Sequence, residues 1–269
     1  MQHPNVTLTI AEGIAWVELS RPEKYNALNY ELFESIVKVQ KHIARRRDVR
    51  AVILSGSGGN FCSGLDVASV MKSPMQAFKL LFKWLPGNAN LAQRVSIGWR
   101  RLPVPVICVL EGICYGGGTQ IALGADMRIA APDCRLSIME AKWGLVPDMA
   151  GLVGLRELVG KDIAMQLTMT AEVIDAQQAK AYGLVTQVSE APREVAEALA
   201  HRLANTSPDA NAAIKFSINK SWRAGERSLL ARESLSQVRL LVGKNRLIAA
   251  LRQTKDPERR YQPRQPWWR

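Results

Sequence analysis

Hydrophobic and polar positions along this chain fall into two regimes. Residues 6–10 and 14–19 alternate apolar and polar side chains on either side of Glu12-Gly13, the pattern of a β-hairpin. Asn29 then precedes an apolar stripe at Leu32, Ile36, Val39 and Ile43, which predicts an amphipathic helix with Asn29 as its cap. Glu31 and Glu34 near its start and Arg45-Arg46-Arg47 at its end complement the helix dipole. Two near-continuous apolar runs, 49–54 and 104–110, predict buried strands. Helical patterns follow at 119–123 and 155–169. Asp175 and Gln178 have capping-box spacing before a short helix that Gly183 closes, and 184–188 predicts the last strand. From about residue 191 every periodic segment is helical: 194–204, 209–222, 228–242 and 245–252. This shift predicts an α/β core over 1–206 and a helical region over 207–269, divided near Thr206-Ser207-Pro208. Two segments lack a clear pattern. Residues 71–101 scatter Phe78, Phe82, Trp84 and Trp99 around a Pro86-Gly87 break and are expected to be mobile. The tail 255–269 mixes Pro, Arg and Trp and reads as disordered or as a binding segment.

Candidate chemistry concentrates in residues 104–148. The strand at 104–110 leads to Gly116-Gly117-Gly118 and then to a helix start. Three glycines there are unfavourable unless the backbone turns sharply or something must approach it closely. The helix start also leaves N–H groups free to face negative charge. Glu140 and Asp148 are two carboxylates in otherwise apolar surroundings. A nucleotide phosphate loop is disfavoured, because neither GxxxxGK[ST] nor GxGxxG follows the strand.

Four ordered motifs carry a resemblance: RPEKYNALN at 21–29, FCSGLDV at 61–67, the long EGICYGGGTQIALGADMRIAAPDCRLSIMEAKWGLVPD at 111–148, and AQQAKAYGLV at 176–185. Together they resemble the crotonase (enoyl-CoA hydratase/isomerase) family over essentially the whole chain. The resemblance implies a ββα spiral core with a C-terminal helical region that packs protomers into trimers or dimers of trimers. It implies an acyl-CoA thioester substrate and no cofactor beyond the CoA that the substrate carries. The backbone N–H groups of Leu65 and Gly117 would stabilise the thioester enolate oxygen, with glycine at 117 permitting the thioester's close approach. Ser63, Asp66 and Val67 would border the CoA, with Lys24 and Tyr25 as further contacts. Residues 71–101 would shape the acyl pocket, and the tail could reach a neighbouring subunit's CoA.

Glu140 falls at a position the family uses for a catalytic glutamate. The family's hydratases carry a second glutamate where this chain has Gln120, and an amide cannot carry a proton at neutral pH, although it can orient a water. Asp148 offers a second carboxylate, as in the dienoyl-CoA isomerase branch, though that branch has Asp at the position of Gln120. Glu140 and Asp148 are therefore expected to shuttle a proton in enoyl- or dienoyl-CoA isomerisation. Hydration is the alternative, and a non-catalytic CoA- or RNA-binding homologue is the alternative of another class.

Composition narrows the picture further. The 269 residues carry a formal charge of +12, which suits anionic partners such as the CoA phosphates. Nucleic acid is the weaker expectation, since the motifs of the acyl-CoA site are present. The four cysteines form no CxxC and only three histidines could join them, so free thiols and no metal site are expected. No apolar run is long enough for a membrane span, and the N-terminal residues have no signal pattern; a cytoplasmic protein is expected.

Overall fold

The structure, a computed structural model, describes residues 2–70 and 72–268. Met71, where the unpatterned segment was expected to begin, and Arg269 of the tail lie outside the described residues.

Alternation of side chains builds the main sheet. Strands β1 (Gln2–His3), β2 (Val6–Ala11) and β3 (Ile14–Leu19) pair antiparallel, with the predicted hairpin closed by Glu12 and Gly13 in left-handed conformation. After helix α1 (Tyr30–Arg45), β4 (Ala51–Gly56) pairs parallel to β3. Short α2 (Val67–Val70), α3 (Pro74–Leu81) and α4 (Leu91–Arg101) intervene before β5 (Val106–Leu110), which pairs parallel to β4. Next come β6 (Ile113–Tyr115), α5 (Gly117–Ala122), β7 (Met127–Ala130) and β8 (Arg135–Ser137). They are followed by α6 (Gly151–Leu158), α7 (Lys161–Thr170), β9 (Ile174–Asp175), α8 (Ala176–Ala181) and β10 (Gln187–Val188). The large sheet runs β1-β2-β3-β4-β5-β7-β10, and a second sheet runs β6-β8-β9.

Both faces of the large sheet are covered, which explains the apolar runs at β4 and β5. Val52, Leu54, Val106, Cys108 and Leu110 belong to the main core with Leu32, Ile36, Val39 and Ile43 of α1. Ile53, Ile107 and Val109, one residue out of phase, belong to a separate core with Ala196 and Ala200 of α9 (Pro192–Ala204). Helices α10 (Pro208–Ser221), α11 (Glu226–Leu241) and α12 (Lys244–Thr254) complete the chain, so the mixed α/β core gives way to helices at its C-terminal end.

Several expectations are corrected. The 155–169 pattern is two helices, α6 and α7, because the backbone turns extended at Val159 and Gly160. Asp175 does cap α8 through Gln178 N, but Gln178 Nε2 donates to Tyr182 Oη, so the reciprocal half of the box is missing. The full capping box is Asn90 with Gln93, inside the segment read as unpatterned. There Trp99 is core, whereas Phe78, Phe82 and Trp84 are exposed.

The tail is not disordered. Arg264 and Trp268 are buried, Arg264 N donates to Arg47 O, and Gln265 N donates to Asp209 Oδ1. Residues 261–268 thus dock on the Arg-rich end of α1 and the start of α10, through backbone and side-chain hydrogen bonds that composition does not reveal.

Glycine at 118 is required by packing, since a Cβ there would lie 2.4 Å from the Cys62 carbonyl oxygen. At Gly87 an added Cβ meets nothing within 4 Å. Gly118→Ala should therefore lower stability by about 1–3 kcal/mol, and Gly87→Ala should leave it unchanged. Thermal unfolding of the two variants checks this; equal melting temperatures would contradict the packing.

Candidate active site

Three short chain segments meet at one end of the small sheet. β6 and β8 are parallel, with Tyr115 opposite Ser137, so Gly116 and the approach to Glu140 leave the sheet side by side. Cys62 makes a parallel bridge to Cys114, and Leu28 another to Leu65, which brings the 61–67 loop alongside. Gly116 N donates to Ser137 O, and Thr119 Oγ1 donates to Cys114 O and Ser137 O, locking the start of α5 to both strands.

The loop before α1 is held by one side chain. Asn26 is fully buried and left-handed (φ 56°), and its Oδ1 accepts from Arg21 N and Ser57 Oγ. Its Nδ2 donates to Ser57 O and Asn60 O, which ties loop 21–28 to loop 57–60. Arg21 donates to Ala27 O and pairs with Asp66 at 2.8 Å. That hydrogen bond from Arg21 holds the Asp66 carboxyl below the usual carboxylate range, and Asp66 Oδ1 also accepts from Ser69 N. Both oxygens of Asp66, expected to border the CoA, are thus engaged within the chain. Around this frame Lys24, Tyr25, Leu65 and Val67 are exposed, and Ser63 is half-buried with its Oγ donating to Lys24 O.

Among the described residues, the N–H groups of Leu65 and Gly117 donate to no protein acceptor. Gly64 (φ 97°) places them close together: a Cβ on Gly64 would lie 3.5 Å from Gly117 N. At Gly117 itself a Cβ would strike Met149 Sδ at 2.8 Å and Leu28 Cδ1 at 2.9 Å. A larger residue there would have to displace the flexible ends of these two side chains.

Glu140 begins a 3-10 turn (Glu140–Trp143), with its Oε1 about one van der Waals contact from where a Cβ on Gly116 would stand, 3.6 Å. Oε1 accepts from Gln120 Nε2 at 2.5 Å, while Oε2 is buried with no partner. Burial raises the Glu140 pKa; its own backbone N–H and the Gln120 donor pull it down, and the Asp148 charge pushes it up again. Gln120 itself is buried, and its Oε1 accepts from Met149 N at 2.9 Å and Gly151 N at 3.1 Å. Both ends of this amide thus have protein partners. Asp148 is exposed on its outer side, yet the protein around it raises its pKa, against a lowering pull from its own backbone and from Lys83. The exposed segment carrying Lys83 therefore faces Asp148.

This arrangement offers two unpaired N–H groups, one carboxylate with a free oxygen, and a second carboxylate within electrostatic range. It suits stabilising charge on an oxygen while a proton moves nearby. A cavity of about 410 Å³ lies elsewhere, against α10, where Lys215 is already paired with Asp126 and Arg100 with Glu157. Among the described residues no cluster of His, Cys, Asp and Glu could hold a metal, and no helix is long and apolar enough to cross a membrane.

A family model described as enoyl-CoA hydratase/isomerase matches residues 9–240. The chain belongs to the enoyl-CoA hydratase/isomerase family. It is 31% identical over 215 residues to the 1,2-epoxyphenylacetyl-CoA isomerase of Escherichia coli (strain K12), covering 79% of this chain and 80% of that protein. It is 30% identical over 206 residues to the (E)-benzylidenesuccinyl-CoA hydratase of Thauera aromatica, covering 76% and 77%. A crystal structure of enoyl-CoA hydratase from Bacillus anthracis superimposes with a TM-score of 0.86 at 27% identity, covering 96% of this chain and 98% of that one. The fold is therefore that of the enoyl-CoA hydratase/isomerase family, and the protein is an enzyme of that class acting on CoA thioesters. Relatives include both hydratases and isomerases.

Within the family fold, sequence reading singled out Leu65, Gly117, Gln120, Glu140 and Asp148, and the structure brings these together. It did not single out Asn26, whose signal was present as an amide within RPEKYNALN able to donate, accept and tolerate a left-handed turn. Nor did it assign Arg21 to Asp66.

The buried, half-paired Glu140 carboxylate has a consequence for stability. Its folded-state pKa stands above the ordinary value of 4.5, so its ionisation opposes folding once the pH exceeds that value, increasingly up to the raised pKa. Glu140→Gln should accordingly raise the melting temperature at pH 7, and the gain should vanish as the pH falls below about 4.5. A gain that grows toward acid pH would contradict the burial described.

Proposed function

We propose that this enzyme isomerises enoyl- or dienoyl-CoA thioesters. The thioester oxygen lies between the N–H groups of Leu65 and Gly117, which stabilise the enolate without carrying charge. Glu140 Oε2 removes a proton from the acyl chain, and the proton returns at a different carbon with Asp148 as the second carrier. The CoA runs over the exposed surface of Lys24, Tyr25, Ser63 and Val67, with Asp66 holding this surface through Arg21. The chain's net positive charge of +12 favours the CoA phosphates.

One observation carries the reading: Glu140 has one oxygen bound and the other buried and free, beside two unpaired backbone donors. A hydratase working through two glutamates would need a second proton carrier at position 120, and Gln120 is an amide with both ends bonded. That favours moving a proton within the substrate over adding water. The wider assembly reads the same way as the family resemblance. Ile214, Ile218 and Trp222 of α10 and Leu235 and Val238 of α11 are exposed apolar side chains, which suits self-association of region 207–269 against core 1–206 as a trimer or dimer of trimers. A monomer by light scattering at micromolar concentration would contradict this last point.

The reaction class is tested by incubating the protein in deuterated water with a panel of enoyl-, dienoyl- and hydroxyacyl-CoAs and reading the products by mass spectrometry. Isomerised, deuterium-bearing enoyl products are expected, with no gain of water. Glu140→Gln should lower turnover by about 10²–10⁴-fold with CoA affinity unchanged. Asp148→Asn should abolish isomerisation while deuterium exchange next to the thioester persists. Hydrated product from the native enzyme, or full isomerisation by Asp148→Asn, would overturn the reading.

A further inference from the structure

We infer that Gln120 is the positioning residue of the acid–base site: one immobilised amide aligns Glu140 through its Nε2 and the loop bearing Asp148 through its Oε1. The inference deepens the proposed role of Glu140 and rests on that reading for its catalytic meaning. Its structural content stands by itself.

The amide's orientation follows from its partners. Met149 and Gly151 both present backbone N–H groups to one end of the side chain, so that end must be the carbonyl oxygen. The other end is then the NH₂ group, and it faces Glu140 Oε1. The left-handed turn at Ala150 (φ 64°) aims the two N–H groups at a single acceptor, a small anion-type nest occupied here by an amide oxygen. Gly151 completes the fit, since a Cβ there would lie 2.5 Å from Gln120 Cγ. The backbone is held as firmly. Gln120 N donates to Gly116 O, and Ser96 Oγ makes a very short bond to Gln120 O. Being buried, Gln120 acts through the residues that it holds.

Two consequences follow. Glu140 loses the equivalence of its oxygens: Oε1 is tied to the amide, and Oε2 is the one available to a substrate proton. Asp148 immediately precedes Met149, so the same amide sets where the second carboxylate stands relative to the first. A glutamate at this position would keep the acceptor toward Met149 and Gly151 but would face Glu140 with oxygen against oxygen, and the pair would have to share a proton. Of the charged groups nearby, Asp148 bears on Glu140 and Lys83 bears on Asp148. The amide thus does what a second carboxylate could not: it orients Glu140 without placing a second negative charge beside it.

The test is a carbon-13 NMR titration of the full-length protein labelled at the glutamate side-chain carboxyl, with the Glu140 resonance assigned by its loss in Glu140→Gln. It needs no substrate, so it is independent of whether the acyl-CoA reading holds. Gln120→Met removes the donor to Glu140 and should lower the Glu140 ionisation constant by about tenfold or more, the size expected for one charge-assisted hydrogen bond. Gln120→Glu retains the acceptor that holds the Met149–Gly151 turn, so it reports even if Gln120→Met fails to fold. In that variant Glu140 should titrate in two coupled steps, the second above its native position. A purely structural Gln120 would lower the melting temperature and leave the Glu140 titration where it is. That result in folded Gln120→Met, or a single unshifted step in Gln120→Glu, would overturn the inference.

Discussion

The site depends on three chain segments leaving parallel pairings at the same end. Cys62 against Cys114 and Tyr115 against Ser137 fix the heights at which loop 61–67, the 116–118 turn and the Glu140 turn emerge. A one-residue slip in either pairing would turn its side chains to the opposite face, which holds the register where one face is buried. Glycine then lets the segments close up: Gly118 lies against the Cys62 carbonyl and Gly117 against Met149 and Leu28. With larger residues at these positions the two unpaired N–H groups would separate and Glu140 would move away from them.

Hydrogen bonding divides the labour around that junction. Asn26 spends all its polar capacity on holding loops, and Arg21, through Asp66, fixes the start of α2 just after Leu65. Gln120 does the same on the opposite side, toward Glu140 and the Met149–Gly151 turn. Among the described residues, the groups left without protein partners there include the Leu65 and Gly117 N–H groups and Glu140 Oε2. Buried polar groups are ordinarily paired, so an unpaired centre inside this hydrogen-bonded frame supports the proposed position of the substrate.

Much of this was legible in the sequence because it rests on local signals. The hairpin at Glu12-Gly13, the Asn29-capped helix and the doubly buried strands at β4 and β5 follow from periodicity and capping chemistry. The glycine triplet and the two carboxylates marked the site. What could not be read depends on contacts far apart in the chain. The three-residue strands β6 and β8 are too short to carry a period, yet their pairing brings Gly116 to Glu140. Gln120 as a clamp is visible only once Met149 and Gly151 are folded over it. The tail's docking likewise runs between its backbone and the sequence-distant side chains of Arg47, Arg50 and Asp209.

The central claim is that a thioester oxygen belongs between two backbone donors with Glu140 Oε2 over the acyl chain. A crystal structure of the protein with a bound, unreacted saturated acyl-CoA tests it most directly. The thioester oxygen should stand about 2.7–3.1 Å from both Leu65 N and Gly117 N, with Glu140 Oε2 facing the carbon next to the thioester. An acyl-CoA whose thioester oxygen meets neither N–H, or whose acyl chain runs away from Glu140, would contradict the account.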